Sequence, residues 1–351
     1  MALLSLTARH FRNLAAEEVP LAPDITLIIG PNAQGKTNFL EALLLLLAGI
    51  SLRGQSDRDL VAWGQDGYRL QGPWMGEGTD PVEKDRLVTV NPLRRRESGP
   101  RIPAVAFAPD DLLLVKGSPE GRRRFLDEVA GQIRPRYLPE LRRYQRALSQ
   151  RNRALKSEAA HSVVESFGPL LAEAGSYVWS VRDEVVASLC LRLPDVLGAL
   201  APVDRMEITL DRGGHAATAT ATDFLGELER RRGEERLRGI TLTGPHRDDL
   251  HISVNGRAAD VFASQGQQRS LALALKLASR DILEEVSGRV PVVLLDDVFS
   301  ELDGTRRRAL LELMSRSRQQ TVVTDTDRED IGDMASLRYA VEAGVLRPVA
   351  R

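Results

Sequence analysis

The sequence predicts an α/β domain assembled from both ends of the chain, with a mainly helical segment inserted between them. Three observations predict it. A glycine-rich turn, Gly30 to Thr37, joins the apolar run Ile25–Ile29 to the helical run Asn38–Leu43. A second apolar run, Val292–Leu295, ends in the paired carboxylates Asp296 and Asp297, 260 residues beyond Lys36. Between them, from Ser118 to about residue 200, apolar residues recur with helical period.

A chain of 351 residues exceeds the size at which one core stops growing, so two domains are expected. The expected division is 1–115 and 240–351 for the two parts of the α/β domain and 116–239 for the helical insertion. The 48 Lys+Arg against 49 Asp+Glu give a net charge of -1, which alone favours no polyanionic partner. The single cysteine, Cys190, excludes an internal disulfide framework and a cysteine-based zinc site, and points to a reducing, cytoplasmic setting. On the apolar face of a helix it reads as a core residue. Met1 to His10 alternates like a strand and does not read as a signal peptide. The longest apolar run, Ala42–Ile50, falls short of the ~18 residues of a membrane span, so no membrane partner is expected.

Taken in order, Leu4, Leu6 and Ala8 alternate with Ser5, Thr7 and Arg9 as a half-exposed strand, and Glu17–Leu21 returns beside it. The glycine loop and its helix follow. Val61 to Val90, rich in Gly, Trp and Pro, reads as short strands and turns, and Ile102–Phe107 as a buried strand. Ser118-Pro119 caps the first insertion helix. Two stripes then face each other: Tyr137, Leu141, Tyr144, Leu148, and Val163, Phe167, Leu170, Ala174, Tyr177, Val181, with a break at Gly168-Pro169. Joined near 157–162, they describe an antiparallel helical hairpin with arms of about 30–45 Å. A helix near Phe224–Arg238 and a strand at Ile240–Thr243 complete the insertion and its exit.

Gly30, Pro31, Asn32, Ala33, Gln34, Gly35, Lys36 and Thr37 match G-x-x-x-x-G-K-T between a strand and a helix, the context the motif requires. Loop amides and the helix N-terminus would cradle the phosphates of ATP, with Lys36 as a mobile cation and the Thr37 hydroxyl on Mg²⁺. Asp296 is the second metal ligand, and Asp297 is placed to orient and deprotonate the attacking water. Lys36, Asp296 and Asp297 are therefore the catalytic candidates. Ser264-Gln265-Gly266-Gln267-Gln268 opens a further apolar helix and resembles the signature sequence of ABC-type ATPases, with Gln265 in place of the usual glycine. One chain already holds its nucleotide through Lys36, so Ser264, Gly266 and Gln267 are expected to cap the γ-phosphate bound to a second copy. ATP then joins a homodimer. Phe299-Ser300-Glu301-Leu302-Asp303 matches the dimer-contacting loop of the same superfamily, and Thr321–Thr326 ends where a switch histidine is usual and absent. Thr324, Asp325 and Thr326 are the candidates for that role, and slow turnover is expected.

Together with Phe11-Arg12-Asn13, Asn38, Glu41, Ser51-Leu52-Arg53, Phe107–Asp111, Gly121–Asp127 and Gly244–Asp249, these motifs resemble the RecF family of recombination mediators, ABC/SMC-head-like P-loop ATPases. The resemblance implies an ATP-dependent dimer on double-stranded DNA near single-strand gap junctions, working with RecO and RecR to load RecA. It also implies that Arg12, Arg53 and Asn38 meet the nucleotide and that Asp110 stands near the usual glutamine loop. The residues carry their own argument for DNA. Between Lys116 and Lys156 twelve Lys+Arg face four acids, and Arg122, Arg123, Arg142, Arg143 and Arg146 are the expected phosphate contacts. His246, with no second ligand at metal spacing, reads as a structural hydrogen-bonding residue. Two other readings compete: the ATPase subunit of a membrane transporter, and a nucleotide-gated scaffold without useful hydrolysis.

Overall fold

A computed structural model describes residues 2–76, 78–201, 204–213, 220–302, 304–316, 319–326 and 333–349. The chain divides into two compact units, 1–112 with 196–202 and 265–351, and 113–195 with 203–264. The first expected boundary thus moves from 115 to 112 and the last from 239 to 264. The reason for the larger shift is a sheet. Strand Asp249–Val254 pairs antiparallel with Met206–Asp211, from Asp249 opposite Asp211 to Val254 opposite Met206, and this ties 249–254 to the helical unit.

In the first unit a six-stranded sheet runs in the order Val345–Pro348, Leu337–Glu342, Ile25–Ile29, Thr321–Asp325, Val292–Asp296, Ala104–Phe107. It is parallel throughout except for its Val345–Pro348 edge. Both chain ends therefore build one sheet. Thr324 lies opposite both Ile28 and Asp296, which brings the glycine loop and the paired aspartates to the same edge of the sheet. Ligands of parallel α/β sheets bind at that carboxyl edge.

Helix Lys36–Ala48 follows the loop and is buried over nearly its whole surface, including Leu43 to Leu47. A helix apolar on all sides needs cover on all sides. It packs against the parallel sheet on one side and against a second, antiparallel sheet on the other. Gly49, at φ 73°, ends it by returning its amide to the Leu45 carbonyl at 3.0 Å. The antiparallel sheet has the order Leu14–Pro20, Ser5–Phe11, Gly67–Met75, Val82–Val90, Leu93–Ser98, with Ala2–Leu3 also paired to Gly67–Met75. Where the composition suggests short strands and turns, two nine-residue strands form a hairpin. Gly72 serves close approach here: a Cβ on it would lie 2.1 Å from the Ser5 carbonyl oxygen.

The second unit carries helices Pro119–Ile133, Tyr137–Lys156, His161–Glu165 and Ala221–Arg238, and Gly168–Leu200 as far as Asp195. The two long arms, 20 and 33 residues, are about 30 and 50 Å at 1.5 Å per residue. Their core gathers Tyr144, Ala147, Leu171, Ala174 and Trp179 with Phe224 and Leu228. The second stripe is shifted in phase at two positions. His161–Glu165 is a separate turn that buries Val164 and exposes Val163, and Tyr177 is half-buried beneath the Arg136 guanidinium, 4.8 Å from its ring centroid. Cys190 is exposed instead of filling the core. Ile240–Thr243 forms no strand, because the amides of Thr241 and Leu242 are taken by side chains and that of Ile240 by the Glu235 carbonyl. Asn152 Oδ1 accepts from Thr241 N at 2.7 Å and Glu235 Oε1 from Leu242 N at 2.8 Å. Among the described residues no helix is long and apolar enough to cross a membrane.

Candidate nucleotide site and the basic insertion

The loop Gly30–Thr37 is shaped by three local demands. A Cβ on Gly30 would lie 2.6 Å from the Val341 carbonyl oxygen, so only glycine lets the strand exit there. Gly35 has φ 113°, and Ala33 accepts φ 65° with its small side chain. The turn between the last two strands braces the loop. Gly344 N donates to the Gln34 carbonyl at 2.9 Å and Ala343 N to Gln34 Oε1 at 2.8 Å.

Inside this cradle Lys36 Nζ donates to the Gly30 carbonyl at 2.7 Å, with Asn32 Oδ1 and Asp297 Oδ1 each at 3.5 Å. The lysine is folded back over its own loop, the position a phosphate oxygen would take from it. Thr37 Oγ1 donates to Asp296 Oδ2 at 2.7 Å, joining residues 259 apart in sequence. Thr324 Oγ1 donates to Asp296 Oδ1 at 2.8 Å and accepts from Asp297 N at 3.1 Å. Burial pushes the Asp296 carboxyl above the usual carboxylate range, with Thr37, Thr324 and Arg53 pulling it back. Burial also raises Asp297, opposed by Lys36. Asp297 itself sits just past its strand at φ 49°, in a left-handed turn.

A buried carboxylate beside a hydroxyl is a pair of hard oxygen ligands, the donor type Mg²⁺ takes. The residues fit that ion.

The surrounding shell brings Arg12, Asn38 and Arg53 together around Glu41, which is fully buried. Arg12 Nε meets Glu41 Oε2 at 2.7 Å and its guanidinium also contacts Gln55. Ser51 Oγ donates to Glu41 Oε1 at 2.8 Å, Arg53 NH1 lies 3.5 Å from Asn38 Oδ1, and Asn38 donates to Asn13 Oδ1 at 2.7 Å. Glu41 is the hub that the sequence shows only as a helix residue five beyond Lys36. Of the three candidates for the switch position, Thr324 is tied to the two aspartates, Asp325 is buried, and Thr326 is exposed. Asp110 is exposed, while its neighbour Asp111 pairs with Lys276 at 3.0 Å.

Ser264 is exposed, and Gly266 and Gln267 are half-buried in the first turn of helix Gln265–Ser287. Arg306 packs against Gly266, 3.3 Å from where a Cβ would stand, and its Nε donates to Ser270 Oγ at 2.6 Å. Asp303 and the side chains of Ser300 and Glu301 lie outside the described residues.

The basic run divides in two. Arg122 forms a bidentate pair with Asp249 at 2.6 and 2.8 Å, and Arg123 donates to the Asp248 carbonyl at 2.7 Å. These two arginines are tied inward, so they are structural residues and not the phosphate contacts the sequence suggests. Arg142 and Arg146 are exposed and carry no ion pair among the described residues, and Arg143 is partly exposed beside Glu140 and Glu173.

The Gly244–Asp249 stretch that receives the inward pair is itself a buried polar ring. Arg182, 2 % exposed at its side chain, holds Asp127 at 2.8 Å and Asp248 at 2.6 Å and donates to the Pro245 carbonyl. Trp179 Nε1 donates to Asp248 at 2.9 Å. Tyr144 Oη lies 2.6 Å from His246 Nδ1, and His246 Nε2 3.1 Å from the Thr241 carbonyl, so Nε2 carries the proton. Burial first, then the nearby arginines, lower His246 to about 4. Among the described residues no group of three or more His, Cys, Asp and Glu is placed to hold a metal ion.

A family model described as an AAA domain, of the AbiEii toxin and Type IV TA system group, matches residues 25–324. The DNA replication and repair protein RecF of Anaeromyxobacter dehalogenans (strain 2CP-C) is 38% identical over 99% of this chain and 100% of its own. That of Listeria innocua serovar 6a is 36% identical over 99% and 100%. A solved structure of the recombination mediator RecF with ATP, in the RecFOR pathway, superposes with a TM-score of 0.88 at 29% identity, covering 99% of this chain and 97% of that one. The Smc head domain of Pyrococcus furiosus shares the fold alone, with a TM-score of 0.54 at 18% identity over 99% and 95%. A P-loop ATPase site built from both chain ends, in full-length register with these relatives, means that the chain belongs to the RecF family of DNA replication and repair proteins.

Proposed function

We propose that this chain is a slow, DNA-stimulated ATPase of recombinational repair. In this reading it closes as a homodimer on duplex DNA near single-strand gaps and, with RecR and RecO, helps load RecA in the cytoplasm. The observation that carries the reading is the Thr37–Asp296 contact of 2.7 Å beside Lys36 and Asp297. It joins a phosphate cradle to a metal ligand and a base.

Thr37 and Asp296 would hold Mg²⁺, which supplies charge neutralisation at the phosphate oxygens. Lys36 leaves the Gly30 carbonyl for the phosphates of ATP, and Asp297, released from Lys36, accepts the proton of the attacking water. Thr324 fixes the Asp296 carboxylate and the Asp297 backbone amide, so the metal ligand and the turn that carries the base do not have to be ordered at the moment of reaction. Arg12 and Arg53 flank the loop, and Gly30 to Asn38 line it. Ser264, Gly266 and Gln267 of a second copy would complete the γ-phosphate site; the exposure of Ser264 is what a surface shared between copies requires. Arg142, Arg143 and Arg146 would meet DNA phosphates.

Release of inorganic phosphate, measured with and without duplex DNA, tests this. Stimulation by DNA is the expected result. Indifference to DNA would favour a transporter-type ATPase, and no turnover at all a nucleotide-gated scaffold.

A further inference from the structure

The antiparallel sheet of the first unit has a solvent face that the nucleotide site does not use. Tyr68, Leu70 and Val88 point into the core, so strand alternation turns Arg69, Leu87 and Thr89 outward. Register then builds a row across four strands. Arg9 stands opposite Arg69, Arg69 opposite Leu87, and Leu87 opposite Arg96, with Arg94 one step along opposite Thr89. The intervening Arg95 and Glu97 belong to the other face, where they meet Asp57 and Arg86.

Arg9, Arg94 and Arg96 are exposed and make no ion pair among the described residues. Arg69 is held by Asp85 at 2.9 and 3.0 Å, Glu83 is the other acid of this face, and Glu17 and Glu18 are exposed on the neighbouring edge strand.

Cations on an edge strand commonly guard against edge-to-edge pairing, and that accounts for Arg94 and Arg96. It does not account for Arg9, whose strand has a partner on both sides. Adjacent strands are about 4.8 Å apart, so the three steps from Arg9 to Arg96 span about 14 Å, close to the ~12 Å width of a B-DNA major groove. Between Arg9 and Arg96 lie Arg69, paired with Asp85, and Leu87, with Thr89 opposite Arg94, and the row offers no ring for stacking, which suits backbone contact with duplex.

We propose that this sheet face is a second duplex-DNA contact, in which Arg9, Arg94 and Arg96 meet phosphates on the two sides of a groove. The proposal rests on the DNA-binding reading above but uses none of the arginines of the helical unit.

Duplex binding by the full-length protein, followed by fluorescence anisotropy from 50 to 200 mM KCl, tests it. Every phosphate left without its arginine makes the slope of log K on log salt shallower by about 0.9, so the triple variant Arg9→Ala, Arg94→Ala, Arg96→Ala should flatten it by about 2.7 and bind at least tenfold more weakly at low salt. The variant Arg142→Ala, Arg146→Ala should weaken binding separately, and the two effects should add. Thr89→Glu, which leaves all three arginines in place, should also weaken binding. A triple variant with the wild-type slope overturns the proposal, and if it also aggregates the arginines are edge guards. Wild-type protein that fails to bind duplex at low salt overturns the parent reading instead.

Discussion

Asp297 is held at φ 49° with Thr324 on its amide and Lys36 near its carboxylate, and its proposed role is that of general base once ATP draws Lys36 away. Asp297→Asn keeps the shape and removes the base. Its hydrolysis rate should fall by about 10²–10⁴-fold while nucleotide affinity persists, as single-turnover kinetics and equilibrium binding would show. Thr37→Ala should behave differently, losing Mg²⁺-dependent ATP affinity because the hydroxyl on Asp296 is gone.

His246 yields a pH effect of definite sign. Its folded value is about 4 against about 6.5 when unfolded, so the unfolded chain takes up the proton first. The stability this neutral histidine contributes is whole above about pH 6.5 and is lost as pH falls toward 4, by about 3 kcal/mol in all. Denaturant melts of wild type and His246→Gln across that range should show the difference between them narrowing on acidification.

Among elements, helices Pro119–Ile133 and Tyr137–Lys156 separate two meanings of a basic run. Arg122 and Arg142 look alike in sequence, yet one is clamped by Asp249 and the other is exposed. Arg122→Gln should therefore lower stability by about 2 kcal/mol and leave the salt slope of DNA binding unchanged. Arg182 is more deeply committed. Removing it strands the fully buried Asp248 and the half-buried Asp127, and Arg182→Ala should cost about 3–5 kcal/mol in equilibrium unfolding. Neither fate is legible in sequence, because the partners lie 127 and 66 residues away. The same limit explains Ile240–Thr243. Its residues favour a strand, but Asn152 and Glu235 reach its amides first. By contrast the glycine loop, the aspartate strand and the long helices are readable, since their chemistry is written within a few neighbouring residues. Glu41 is not, because a buried glutamate on an apolar helix announces itself only through Arg12 and Ser51 folding back onto it.

For the molecule as a whole, the parallel sheet explains why Lys36 and Asp296 can sit so far apart in sequence. Three strands from the two chain ends place them side by side at one sheet edge, and the helical unit enters the chain between those ends. In the proposed homodimer a second copy caps the γ-phosphate, and the Ser264–Gly266 turn carries an exposed serine at the head of its helix. Sedimentation velocity of the Asp297→Asn protein with ATP, with ADP and without nucleotide measures this directly. The account expects a dimer with ATP alone and a smaller species in the other two samples; one and the same species in all three would contradict it.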